Sequence, residues 1–251
     1  MSRTLKEQMG IHPDPHAPEH TISGGKRLTK VVSRNEYDSQ QLGLPTYHRR
    51  IANPFPVFAI GVGASLLMLG LLLVEVRGLQ NTQIYLNVGL PLGGIAVMTA
   101  SMFSFAEGNT FLATAAGTLA GLLGGLSMIF IPWTGIKEAY AMEANGNEVL
   151  TIIYLYKAVG ILFFCAMIPV FLLFLASLRT AVPVAFSALL IVVAAIVQGA
   201  VYLNYPMIHA QKAAGALFII VGISLWYSAL AVILNEEGIS ILPVFPLPRL
   251  E

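Results

Sequence analysis

Charge is what this sequence has least of. Asp, Glu, Lys and Arg make up 11% of the 251 residues, against about 25% in an ordinary soluble domain. Hydrophobic residues supply 56%, and mean hydropathy is +0.75. A water-soluble domain of this size has no use for so much apolar surface, so the composition indicates an all-α, polytopic membrane protein. Cysteine is nearly absent: Cys165 alone excludes an intrachain disulfide. No short apolar stretch opens the chain, so a cleaved secretory signal is not expected and the first membrane helix must itself target it. There is no His-Glu-x-x-His, Gly-x-Ser-x-Gly or glycine-rich phosphate loop, and no paired acid inside an apolar segment. This speaks against an enzyme, and no cofactor or metal is expected.

What is present is six apolar stretches, each long enough to cross about 30 Å of hydrocarbon, at roughly 55–75, 84–105, 111–133, 158–178, 182–203 and 212–234. They imply six transmembrane helices per subunit in a transport domain over 53–237. An even count puts both ends of that domain on one side of the membrane and permits two sets of three helices of opposite topology, a 3+3 inverted arrangement. Residues 1–52, with Pro13, Pro15, Pro18 and few large apolar side chains, are expected to form a disordered tail. His12, His16 and His20 recur every four residues there, but the intervening prolines break the helix that a metal face would need. Residues 238–251 form a short second tail. Eight of the fourteen Lys and Arg precede the first apolar stretch, and the side holding both termini carries ten against four opposite. Both termini are therefore expected to be cytoplasmic. Residues 134–157, bearing Lys137, Glu138, Glu143 and Glu148, are read as an external cap, part helical.

Within the membrane every ionisable residue lies at a helix end: Glu75, Glu107, Lys157, Lys212, Glu236 and Glu237. A charge at the bilayer centre costs about 2.5–3.5 kcal/mol and marks a pathway where it occurs. Its absence leaves recognition to hydroxyls, amides and helix N-termini, with Ser65, Asn87, Thr99, Thr114, Thr118, Ser187, Gln198, Ser224 and Tyr227 as candidates. Pro91 removes the usual donor to the Asn87 carbonyl and predicts a kink, as does Pro169. In the third stretch Ala113, Gly117, Gly121 and Gly125 form a small-residue stripe suited to close packing within or between subunits. Leu119, about 200° from Gly117 around a helix, then looks elsewhere, toward a pore.

Three blocks carry a family resemblance. Asn53-Pro54-Phe55-Pro56-Val57-Phe58-Ala59-Ile60-Gly61 resembles the Asn-Pro-Ala-Pro-Leu-Gly-Leu signature of the acetate transporter family, the bacterial succinate/acetate permeases and the fungal acetate and ammonia-export proteins. Gly108-Asn109-Thr110-Phe111 and the run from Tyr227 through Asn235 and Glu236 to Pro243 are similar to two further family blocks. The resemblance implies a homohexamer in the plasma membrane, with one path per subunit for acetate and related small mono- or dicarboxylates, linked to protons. It also implies a hydrophobic ring where the path narrows, at Val62, Leu119 and Ala188, with Phe58 as a further filler. These side chains are smaller than those usual in bacterial relatives, and Val97 stands where a Gln is expected.

A carboxylate would dwell near Asn53, Ser65 and Asn87 and at the Asn109 and Thr110 start of the third helix, and would cross the ring protonated. A channel for ammonia or another small neutral solute, and an acetate sensor signalling through the tail, are the alternatives.

Overall fold

The computed structural model describes residues 52–238, except 80 and 205, together with 242. The two expected tails, the His12, His16 and His20 series and Pro243 lie outside the described residues. Seven helices account for most of the rest: α1 Phe55–Leu73, α2 Gln83–Glu107, α3 Thr110–Met128, α4 Ile136–Glu143, α5 Glu148–Ser177, α6 Val182–Leu203 and α7 Ile208–Glu236. All but the short α4 are long and apolar enough to cross a membrane. Their alternating directions put the starts of α1, α3 and α6 and the ends of α2, α5 and α7 at one end of the bundle, here called the near end.

Local chemistry sets the helix starts. Asn53 Oδ1 accepts from Phe55 N at 3.0 Å, with Pro54 and Pro56 occupying first-turn positions that need no donor. Asn109 Oδ1 accepts from Leu112 N at 3.1 Å to cap α3. Gly108 turns the preceding corner at φ 84°, a backbone region that favours glycine. Asn147 Oδ1 caps α5 by accepting from Val149 N and Leu150 N.

That cap corrects an expected boundary. The fourth membrane helix begins at Glu148 rather than at 158, so the expected external cap reduces to a 3-10 turn, α4 and the corner at Asn147. Glu148 and Lys157 read as loop markers, yet the residues between them are almost all apolar and a capping Asn precedes them. The 30-residue α5 runs through Pro169 unbroken and spans about 45 Å at 1.5 Å per residue. The first turn of α7 likewise extends ahead of the expected 212, where Lys212 Nζ pairs with Glu75 at 3.7 Å across the far end. The kink expected at Asn87–Pro91 takes the form of a π-helical segment, Gly89–Ala96, within α2. The wider turn is the usual response to a ladder hydrogen bond that proline cannot donate.

The tightest crossing is between α1 and α7. A Cβ on Gly70 would stand 2.5 Å from the Gly215 carbonyl oxygen, and one on Gly222 would stand 2.8 Å from that of Gly63. The two glycine pairs are seven residues apart on each helix, so they lie on one face and bring the backbones into contact. Trp226 Nε1 donates to Ile60 O at 3.3 Å and Gln211 Nε2 to Leu73 O at 3.3 Å, tying the same helices near their two ends. The corresponding pair in an inverted 3+3 arrangement, α3 and α5, makes only slight contact. That opening holds the cavities described below.

The small-residue stripe of α3 does not stay on one face. A step of four advances 400°, so Gly125 is turned about 120° from Ala113. Gly117 meets Ser101 Oγ, 3.0 Å from the Cβ site, whereas Gly121 and Gly125 face outward with nothing within 4 Å. The glycine that packs α3 on α2 beyond Gly117 is Gly124, seven residues on, where a Cβ would stand 3.3 Å from Gly94 Cα.

Gly222→Leu drives a branched side chain into the α1 backbone and is expected to cost about 1–3 kcal/mol, which lowers the melting temperature in detergent by several degrees. Gly121→Ala meets nothing and is expected to leave it within about 2 °C. Thermal unfolding of the purified variants checks both.

Candidate translocation pathway

Three cavities lie in series along the opening between α3 and α5. At the near end a cavity of about 580 Å³ is walled by the starts of α1, α3 and α6 and the end of α5, with Asn53, Asn109, Ser177, Arg179, Thr180 and Ser187 among its polar residues. In the middle a cavity of about 70 Å³ is lined only by apolar side chains, among them Leu66, Leu123, Phe163 and Phe218. At the far end a cavity of about 520 Å³ takes in Glu75, Gln83, Lys137, Tyr156, Tyr202 and Gln211. Near and middle cavities share Leu119, Val170 and Ile191 as walls, and middle and far cavities share Leu126.

The arrangement is thus two wide, partly polar mouths joined by a dry neck. The middle volume exceeds that of a single water site several-fold but admits no more than one small solute. Nothing in its wall donates or accepts a hydrogen bond from a side chain, so a permeating group must leave its hydration shell there.

Leu119 stands on the wall shared by near and middle cavities, on the side of α3 away from the Gly117 contact with Ser101. Ala188 and Phe58 line the near cavity, and so do Asn53 and Asn109. Val62 lies on the same α1 face as Phe58 and Leu66, both cavity residues, but is fully covered and lines neither cavity. Ser65 is turned toward α2: its Oγ donates to Gly61 O at 2.9 Å and abuts Gly93. Asn87 and Thr110 are exposed and line none of these cavities.

The family-block residues are mostly structural. Pro54 is buried in the first turn of α1, and Pro56 follows it there. A Cβ on Gly61 would lie 2.7 Å from the Leu92 carbonyl oxygen, so this glycine holds α2 against α1. Gly108 makes the α2–α3 corner, while Asn235 and Glu236 are exposed at the end of α7. Val97, standing where a Gln was expected, is fully buried against Gly61 and away from the cavities.

Sequence reasoning missed Val170 and Ile191, which with Leu119 form the shared wall, and Arg179 in the near mouth. A signal for Ile191 was available. Val184, Ala188, Ile191 and Ala195 on α6 alternate spacings of four, three and four, a seam that keeps one face toward a neighbour.

Known proteins resemble this chain over most of its length. It is 29% identical over 140 residues to the "Glyoxylate pathway regulator" of Yarrowia lipolytica, covering 56% of this chain but only 48% of that protein. It is 26% identical over 210 residues to "Acetate permease A" of Emericella nidulans, covering 80% of this chain and 68% of the relative. The fold matches that of the bacterial acetate channel SatP with a TM-score of 0.59 at 23% identity, over 78% of this chain and 99% of that one. The model of the GPR1/FUN34/yaaH family matches residues 37–249, and the chain, an integral membrane protein of six membrane-crossing helices, belongs to that family.

Proposed function

We propose that this protein is a transporter or channel for acetate and related small carboxylates, which cross each subunit through the dry neck between α3 and α5 in protonated form. The observation that carries the reading is the series of cavities, polar at both ends and wholly apolar at Leu119, Val170 and Ile191. Relatives that bear the names of an acetate permease and an acetate channel support the choice of solute.

A carboxylate gathers in the near mouth, where the Asn53 and Asn109 helix starts and the Arg179 guanidinium favour negative charge. Passing the neck as an anion would cost the desolvation of a full charge, several kcal/mol even after relaxation. Protonating a carboxylate of ordinary pKa near 4 at pH 7 costs roughly 4 kcal/mol. Protonation is the cheaper route, and it couples acid movement to proton movement without any titratable side chain in the neck. The subunits assemble as homohexamers in the plasma membrane with both termini cytoplasmic, in keeping with the family resemblance and the bias of Lys and Arg toward that side. The outward Gly121 and Gly125 surface of α3 suits helix-to-helix packing between subunits.

Proteoliposomes of the purified chain are expected to accumulate labelled acetate under an inward proton gradient, faster as the outside pH falls from 7 toward 5. Leu119→Trp places an indole in a neck of about 70 Å³ and is expected to reduce uptake at least tenfold with the fold intact. Acetate current without proton movement, or no acetate uptake by the folded wild type, overturns the reading; ammonia uptake in its place would identify the neutral-solute alternative.

A further inference from the structure

Eight polar residues are buried among the described residues, and seven are serines. Every one of those serines donates to a backbone carbonyl: Ser65, Ser104, Ser127, Ser177, Ser187 and Ser228 within their own helices, and Ser101 to Ala113 O at 2.7 Å. The eighth is Gln198, fully buried, with neither Nε2 nor Oε1 hydrogen-bonded. A buried side-chain amide with both ends open is rare in a folded protein and calls for an explanation, most of all in lipid, where no bulk water substitutes.

Its position supplies one. On α6 the pathway seam runs Ala188, Ile191 and Ala195, and its next two members by the same alternation are Gln198 and Tyr202. Ala195 lines the middle cavity and Tyr202 the far one. Gln198, fully covered and lining neither cavity, falls between those two positions on α6, and the backward tilt of helical side chains leans it toward Ala195 and the middle cavity. At this level α5 approaches closely, since a Cβ on Gly199 would lie 3.3 Å from the Gly160 carbonyl oxygen. The Phe163 and Tyr202 rings meet there at 5.7 Å between centroids. Tyr202, one turn on, is a close polar neighbour of the amide without hydrogen-bonding geometry. One hydroxyl would in any case leave part of the amide's two donors and two acceptor sites open.

We infer that the Gln198 amide is a specificity residue of the pathway: it pairs with the protonated carboxyl group as the solute passes from the middle cavity to the far mouth. The inference rests on the proposed function. Chemical complementarity decides the protonation state. A neutral carboxylic acid presents an acceptor C=O beside a donor O–H, and a primary amide presents an N–H beside a C=O, so the two close a ring of two hydrogen bonds. A carboxylate presents two acceptors, and one of them faces Oε1 without a proton between them. The site thus rewards the species that the neck admits. It also predicts that acetamide, a neutral solute with the same adjacent donor and acceptor, uses the path at any pH.

The test measures labelled acetate and labelled acetamide uptake in proteoliposomes of wild type, Gln198→Leu and Gln198→Met, with melting temperatures of each. Failure of folded wild type to carry acetate is visible in that arm alone and removes the proposed function together with this inference. With acetate carried, the expected result is acetamide entry that does not vary with pH, a drop of at least tenfold for both solutes in both variants, and melting temperatures equal to or above wild type. Uptake within twofold of wild type and lowered melting temperatures overturn the inference and make Gln198 a structural partner of Tyr202. Should neither variant fold, the wild-type arm still decides: acetamide that neither enters nor competes with acetate overturns it.

Discussion

Everything in this bundle hangs on the contact of bare backbone between α1 and α7. At Gly63 with Gly222 and Gly70 with Gly215 there is no room for a single methyl group. Lipid offers no hydrophobic drive for helices to associate, so close van der Waals approach of this kind is what membrane helices have to work with. Because α7 is bound so tightly to α1 and also packs on α6, one side of the bundle is closed. The loosely joined α3 and α5 leave the space that a solute needs. Rigidity on one side and an opening on the other follow from where the glycines fall.

The opening is dry for a related reason. With no ionisable residue lining it and the buried serines turned back onto backbone carbonyls, the neck presents only Leu, Val, Ile, Phe and Ala side chains. The side chains lining such a neck offer a solute no hydrogen bond. Under the proposed function it would sort solutes by what they lose on shedding water, which is smaller for a neutral acid of four non-hydrogen atoms than for any ion. Selectivity of this sort comes from a penalty laid on the wrong species.

Much of the fold was legible in the chain. Six runs of about twenty apolar residues indicate spans, and Asn53 and Asn109 mark helix starts by their own side chains. The extent of α5 was not legible, because Glu148 and Lys157 suggest a loop while the residues between them can be helical above the lipid as well as within it. The glycine stripe misled through arithmetic: four residues overshoot a turn by 40°, whereas seven return to within 20°. Gly117 with Gly124 was the contacting pair. Of the expected ring, Leu119 and Ala188 line a cavity and Val62 does not, because whether a residue on the inner face meets space or a neighbouring side chain depends on packing from other helices. Gln198 was visible as one of several intramembrane polar residues, but only the burial of all eight and the pairing of the other seven set it apart.

The proportions of the cavities have an electrical consequence. Two mouths of more than 500 Å³ flank a middle of about 70 Å³, and α5, at about 45 Å, is about 15 Å longer than a 30 Å hydrocarbon slab is thick. Filled with electrolyte, two such mouths would hold nearly constant potential, and the voltage across the membrane would fall almost wholly within the neck. An ion there would feel close to the full field, about 2.3 kcal/mol for each 100 mV. An uncharged molecule would feel none of it, and the cell's resting potential would neither help nor hinder its passage.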